Sequence, residues 1–198
     1  MASGPARTTP LNQRASSQEL KRLVEQAKQG DRHALEELYL LHFDRIYSYL
    51  HMSVGNRHDA EDLTTQVFVK MLESIGNFQW RSAPFSAWLF RIAHNLAMDH
   101  FRASKRWQPE EEVPEPDPGE ESAAEEEALE SIGRQSMLQL IEKLSREQQQ
   151  VLTLKFVFNF SNADAATILD KTDGAIKSLQ HRALASLQRQ LERSGSAP

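Results

Sequence analysis

Two stretches of this sequence carry side chains of the types and spacings that handle nucleic acid. In FQWRSAPFSAWLFRIAHNLAMDHFRASKRW, residues 78–107, the rings of Phe78, Trp80, Phe85, Trp88 and Phe90 come first and the cations Arg102, Lys105 and Arg106 come last. Aromatic faces stack bases and cations track a phosphate backbone, which together make a single-strand binding surface. The same stretch also suits plain packing. Phe85, Leu89, Ile92 and Leu96 recur at four, three and four residues, the period of a helical core stripe. Arg91, Asn95, Arg102 and Lys105 fall on a neighbouring face that starts at Trp88. For Phe85, Leu89 and Phe90 packing is the stronger reading. For Trp80, Arg91 and Asn95 spacing alone leaves both readings open.

The second stretch lies at the end of the chain. ADAATILD, a KTD turn and GAIKSLQHRALASLQRQLER read as a helix-turn-helix. Ala165, Ala166, Ile168, Leu169, Ile176, Leu179, Ala183 and Leu187 would form its core. Asp173, Lys177, Ser178, Gln180, His181 and Arg182 would then face outward. A recognition helix enters the major groove with its N-terminal half, where Lys and Arg reach phosphate or guanine and Gln and Ser meet base edges. A helical hairpin with a solvated face has the same pattern.

Catalysis finds little to work with. The pair His58 and Asp59 suits a metal phosphohydrolase only if further His and Asp ligands converge on it, and Asp59 also sits where a helix start favours an acid. His94 and His100 are six apart and point to different sides of a helix. Glycine-rich phosphate loops, serine nucleophile elbows and HExxH are all absent from the sequence. The expectation is a protein that is not an enzyme, with no cofactor and no metal.

Helices must position these groups. Ser16 with Glu19 forms a capping box before ELKRLVEQAKQ, and Gly30 closes that helix. Asp31 can cap RHALEELYLLHFDRIYSYLHMSV, in which Leu35, Leu38, Tyr39, His42, Ile46 and Tyr49 keep helical spacing. Gly55 and Asn56 make a break. HDAEDLTTQVFVKMLESI then sets Ala60, Leu63, Val67, Met71 and Ile75 on one stripe, and Gly76 ends it. Pro84 suits the first turn of the helix that follows. Further on, ALESIGRQSMLQLIEKL reads as a helix, Ser145 with Gln148 caps REQQQVLTLKFVFN, and Ser161 or Asn162 opens ADAATILD. Alternation at period two is absent except for the short FVFNF.

The charge is divided along the chain. The 198 residues carry a net −5, yet residues 107–133 hold 11 acids and no Lys or Arg, so the remainder has 23 bases against 17 acids and is basic enough to meet phosphate. Residues 107–127 also hold four of the eight prolines, which favours an extended acidic linker. The fold class is therefore all-α, with two small helical domains joined by that linker. The expected order is a mobile tail at 1–16, a first domain at 17–106, the linker at 107–127, a second domain at 128–193 and a tail at 194–198. There is no cysteine and no apolar run near the roughly 20 residues that span a bilayer, and residues 1–17 lack the apolar stretch of a secretory signal. A cytoplasmic protein without membrane insertion is expected.

Three stretches resemble a bacterial RNA polymerase sigma factor of the extracytoplasmic-function (ECF) group. DAEDLTTQVFVKML (59–72) is similar to its polymerase-binding helix, FSAWLFRIAHNLAMDHFR (85–102) to its promoter-melting helix, and residues 144–188 to its domain four, with G-A-I-K-S and H-R-A in the usual places. The resemblance covers roughly residues 17–106 and 128–192. It implies that domain two docks on the beta-prime clamp helices of core RNA polymerase and opens the minus-ten element of promoter DNA, flipping one base into a pocket. It implies that domain four reads the minus-thirty-five element and touches the beta flap, while the linker runs toward the RNA exit path, where its acids could mimic the charge of nascent RNA. Carried onto this sequence, Asp59, Asp62, Thr65, Gln66 and Phe68 lie in the clamp-binding segment. Phe78, Trp80, Arg81 and Ser82 lie in the specificity loop, with Trp88 beside it, and Asn95 matches a residue lining the flipped-base pocket. Arg91, Arg102, Lys105 and Arg106 fall where promoter backbone is contacted. Lys177, Ser178, Gln180, His181 and Arg182 fall in the recognition helix. Thr65 stands where the family usually has Gln, and Leu179 and Leu184 stand where it often has Arg. Control in trans by an anti-sigma factor is a further expectation.

Overall fold

A computed structural model describes residues 17–80, 83–105 and 143–195, and among them the secondary structure is helical throughout. The Ser16 cap, the linker, the helix expected before Lys143, Arg81, Ser82, Arg106 and the side chain of Lys105 lie outside the described residues.

Four helices form the N-terminal unit. Helix α1 (Ser17–Lys28) buries Val24 and Ala27. It stops where Gly30 takes φ +84°, a left-handed conformation that costs glycine little. Asp31 turns the chain at once, because its carboxylate accepts the Ala34 N–H at 3.1 Å and so caps α2 (Arg32–Val54). Helix α2 buries Leu38, His42, Ile46 and Tyr49 as its spacing foretold, but Tyr39 remains exposed and Leu35 half-buried. Gly55 ends it at φ +72°, and the Asn56 side chain accepts the His58 N–H at 2.8 Å to start α3 (Arg57–Ser74). Every residue of the predicted α3 stripe is buried, with Thr64 and Phe68 beside it. The helix ends one residue earlier than Gly76 suggested, in a single 3₁₀ turn over Ile75–Asn77. Helix α4 (Phe85–Lys105) begins just after Pro84, whose carbonyl accepts the Trp88 N–H at 3.2 Å, so the proline precedes the first turn rather than sitting in it.

The C-terminal unit opens with the expected capping box of Ser145 and Gln148 on α5 (Arg146–Leu152). The expected continuous helix through Asn159 does not follow. Thr153–Val157 form a wide π turn, closed by the Phe158 N–H on the Thr153 carbonyl at 3.1 Å, and Asn159 takes φ +60°. Phe158 and Phe160 are thereby buried while Phe156 stays exposed, which gives FVFNF its period-two look without a strand. Ser161, not Asn162, caps α6 (Asn162–Leu169) in a reciprocal box with Asp164. Asp170 at φ +54° ends α6, and the Thr172 hydroxyl accepts the Ala175 N–H at 3.2 Å at the start of α7 (Asp173–Gly195). All eight residues assigned to the helix-turn-helix core are buried.

The two units share most of one core. Leu144, Leu152, Ala183, Leu184 and Leu187 make a small separate cluster between α5 and α7. The larger cluster runs from Val24 through α2, α3 and α4 into Val151, Phe158, Phe160, Ile168 and Ile176. Helix α4 therefore buries two faces. Phe85, Leu89 and Leu96 lie on the predicted stripe, Ile92 is only half-buried, and Phe90, Ala93, His94 and Ala97 are covered as well. A stripe read from one amphipathic period supposes one neighbour, and α4 has α2 and α3 on one side and α6 on the other.

Candidate nucleic-acid interface

The loop between α3 and α4 is an aromatic box. Phe78 is buried, with its ring centroid 5.0 Å from Trp80, 5.4 Å from Phe85 and 5.1 Å from Trp88. Edge-to-face rings at this separation add roughly 0.5–1.5 kcal/mol per pair beyond the area they bury. Trp80 is fastened to α1 by its indole N–H, which donates to Glu25 Oε1 at 3.0 Å. Of the five rings that open the stretch, Phe78, Phe85 and Phe90 belong to the core, and Trp80 and Trp88 keep part of their faces in solvent. The rings free to meet a base are thus the two tryptophans.

One and two helical turns beyond Trp88, Arg91 and Asn95 stand exposed on α4. Arg102 is exposed and paired with Asp99 at 2.9 Å on its own helix. Arg91 is paired with Asp170 of the C-terminal unit at 3.0 Å. That pair is exposed on both sides, so it adds at most about 1 kcal/mol and acts mainly to fix position. Beneath this surface the Tyr49 hydroxyl and His94 Nδ1 are 3.2 Å apart. Burial holds the His94 imidazole down to about 4 and pushes the Tyr49 hydroxyl well above its ordinary value, so both groups are neutral. Lys171 and Arg102 depress His94 further.

On α3, Asp62, Thr65 and Gln66 face solvent, and Asp59 lies 3.4 Å from His100 Nε2. Phe68 points inward, with its ring 4.6 Å from Tyr39 and 6.3 Å from Phe43. It thereby helps to seat α3 on α2. Val69 and Leu72 are the residues that spacing reasoning passed over. They stand about half exposed, three apart and off the core stripe, on the side of α3 that carries Asp62 and Gln66. Their signal was an apolar pair out of phase with the stripe.

On α7, Lys177 and Ser178 are exposed, with Lys177 3.0 Å from Asp173, while Gln180, His181 and Arg182 are half-buried. Leu179 and Leu184 are buried. Both pack into the cores of this unit.

Two family descriptions match the chain: Sigma-70 region 2 over residues 38–107 and Sigma-70, region 4 over residues 134–187. Among known relatives, the ECF RNA polymerase sigma factor BldN of Streptomyces coelicolor is 38% identical over 179 residues, which span 89% of this chain and 67% of that protein. The ECF sigma factor SigD of Mycobacterium tuberculosis is 31% identical over 185 residues, 89% of this chain and 85% of that one.

The chain belongs to the ECF RNA polymerase sigma factors.

As such it serves promoter-specific transcription initiation by RNA polymerase and is not itself an enzyme. The sigma factor's fold is shared with CnrH, solved in complex with the cytosolic domain of CnrY, at a TM-score of 0.64 and 24% identity over 87% of this chain and 97% of that one. It is also shared with the sigma factor RpoE of Bartonella quintana, solved with the anti-sigma factor NepR, at a TM-score of 0.61 and 25% identity over 79% of this chain and 96% of that one. Among the described residues, no helix is long and apolar enough to cross a membrane.

Proposed function

We propose that this sigma factor docks on core RNA polymerase through the solvent face of α3, opens the minus-ten element with the outer face of α4 and the loop before it, and reads the minus-thirty-five element with α7. The observation that carries this is the arrangement on α4. Trp88, Arg91 and Asn95 lie within two turns, Arg91 and Asn95 exposed and Trp88 with part of its ring in solvent while it packs on Phe78 and Phe85. A ring, a cation and an amide in that order supply a stacking face, a phosphate contact and a hydrogen-bonding partner for an unpaired base. Extruding a base costs a few kcal/mol, which such contacts offset. Lys177 and Ser178 on the first turns of α7 suit duplex backbone and base edges. On this reading domain two occupies 17–106 and domain four 128–193, with the acidic segment between them.

Run-off transcription with core polymerase, this protein and DNA from upstream of its own coding region tests the proposal. Promoter-specific transcripts that depend on the protein are expected. A protein that binds duplex promoter tightly without polymerase and gives no transcript would instead be a stand-alone regulator.

Two substitutions separate the parts. Asp62→Ala removes an exposed acid with no packing role, so folding stays intact while affinity for core polymerase falls about tenfold, measured by fluorescence titration. Unchanged affinity removes α3 from the docking face. Lys177→Ala is expected to lower transcription about three- to tenfold from promoters that carry a minus-thirty-five element, and to reduce the salt dependence of duplex binding by about one in log–log slope. Equal loss on templates without that element would count against the assignment. RpoE of Bartonella quintana, solved with the anti-sigma factor NepR, also supports a regulatory partner of that class for this chain.

A further inference from the structure

Helix α1 takes no part in the promoter roles proposed above, yet it holds a ring on which those roles depend. Glu25 and Trp80 are 55 residues apart, and the indole N–H donates to Glu25 Oε1 at 3.0 Å. Lys21, one turn before Glu25, sets its Nζ 5.9 Å from the centre of the same ring. Phe78 meets it at 5.0 Å with the two rings nearly perpendicular, at 78°. Trp80 as a whole stays half-buried, so part of its surface is left for a ligand.

An acid is out of place on a surface that meets phosphate, because like charges repel. Glu25 is exposed, so packing does not account for it. Its two oxygens do. Oε1 takes the indole N–H, and Oε2 lies 3.2 Å from Lys28 Nζ. Lys21, Glu25 and Lys28 recur at four and three residues on one face of α1, where two cations outweigh the acid. The helix is seated without Glu25, because Val24 and Ala27 are buried and Leu20 and Leu23 pack against the core. What Glu25 decides is the orientation of a ring at the end of a loop. A stacking face that is fixed before the base arrives avoids the cost of ordering it on binding.

We propose that Glu25 is a positioning residue for promoter selectivity. It sets Trp80 in the orientation that stacks an unpaired base of the minus-ten element, and α1 thereby forms a third wall of the single-strand site, beside the loop and α4. Glu25 acts through the indole and touches no DNA itself. The inference rests on the minus-ten role proposed for the loop, while the bond from Trp80 to Glu25 stands on the geometry alone.

The test uses full-length protein, core polymerase and templates that carry each single-base change across the minus-ten element, with the minus-thirty-five element kept. The readout is the ratio of run-off transcript from the best template to that from each changed one. Glu25→Ala and Glu25→Gln both remove the charge, and only glutamine keeps an acceptor for the indole N–H. Glu25→Ala is expected to lower the ratio about fivefold at one or two positions, and Glu25→Gln to stay within about twofold of wild type. Trp80→Phe keeps a ring but loses the N–H. It should lower the ratio at the same positions, and adding Glu25→Ala to it should lower the ratio no further. Equal loss on every template, with the ratios unchanged, would make the bond a staple for the loop and overturn the proposal. A Glu25→Gln protein as poor as Glu25→Ala, or additive losses in the double variant, overturns it as well. If wild type gives no specific transcript, the promoter reading fails, and the bond is read by itself. With Trp88→Phe and Trp107→Phe, Trp80 is the only tryptophan left, and its emission can be quenched with acrylamide. Greater quenching in Glu25→Ala but not in Glu25→Gln would then support the positioning role, and equal quenching in all three would overturn it.

Discussion

Replacing Phe90 with alanine is expected to lower the unfolding free energy by about 3–5 kcal/mol, the usual cost of truncating a buried phenylalanine. The ring is fully buried and is touched by Tyr49 at 5.2 Å from its own unit and by Phe158 and Phe160 from the other. Its loss opens a cavity at the junction, where neither unit can collapse alone to fill it. With a urea slope of roughly 2 kcal/mol/M, the midpoint of unfolding should fall by about 2 M. The exposed pair Arg91–Asp170, at most about 1 kcal/mol, provides the scale for comparison. Urea titrations of Phe90→Ala and Asp170→Asn followed by circular dichroism should therefore differ several-fold in effect. A Phe90→Ala change below about 1 kcal/mol would mean that this ring does not carry the junction.

Acid should unfold the protein earlier than its carboxylates alone would require. His42 and His94 are both buried, and burial holds each imidazole near 4 against an ordinary 6.5. The His42 ring donates from Nδ1 to the Leu38 carbonyl at 3.1 Å, which fixes its tautomer but leaves no room for a second charge beside Arg45. In the unfolded chain both rings take up a proton near pH 6.5, while in the native protein they refuse it down to about pH 4. The unfolded state thus binds more protons across that window. Their contribution to stability is complete above pH 6.5 and is lost as pH falls from 6.5 to 4, by up to about 3 kcal/mol for each ring. Urea midpoints should be level from pH 8 to pH 7 and fall steeply by pH 5, and His94→Leu should flatten part of that fall. A midpoint constant from pH 8 to pH 5 would show that burial holds down neither ring.

Much of this was legible in the residue order because local physics decided it. Ala60, Leu63, Val67, Met71 and Ile75 gave α3 its buried stripe, Asp31, Ser145 and Ser161 offered caps, and Gly30 and Gly55 offered left-handed stops. Each of these depends on neighbours within one or two turns. What could not be read depended on residues far along the chain. Ile92 looked like core and Ala93 and His94 did not, because the cover on that side comes from α6, some 70 residues away. Phe68 fell off the stripe read for its helix, and Tyr39 and Phe43 of α2 draw it inward. Arg45 carried no pattern at all. A lone cation on an apolar helix reads as a snorkelling side chain, and its three aromatic neighbours lie 45 and more residues downstream.

The wide turn at Thr153–Val157 sets an angular phase. Each residue of an α-helix advances the chain by about 100°, and a π turn absorbs one extra residue into a single loop of hydrogen bonds. With one residue fewer between Thr153 and Val157, the helix would run straight, the caps at Ser145 and Ser161 would both survive, and the helix-turn-helix beyond them could still fold. Phe158 and Phe160 would keep nearly their present phase relative to α5, because the wide turn takes up the extra residue, whereas the same deletion inside the regular turns of α5 would rotate them by about 100° away from Arg45 and Phe90. The wide turn is thus what lets the two halves of this molecule meet although the chain holds one residue more than a straight helix would need.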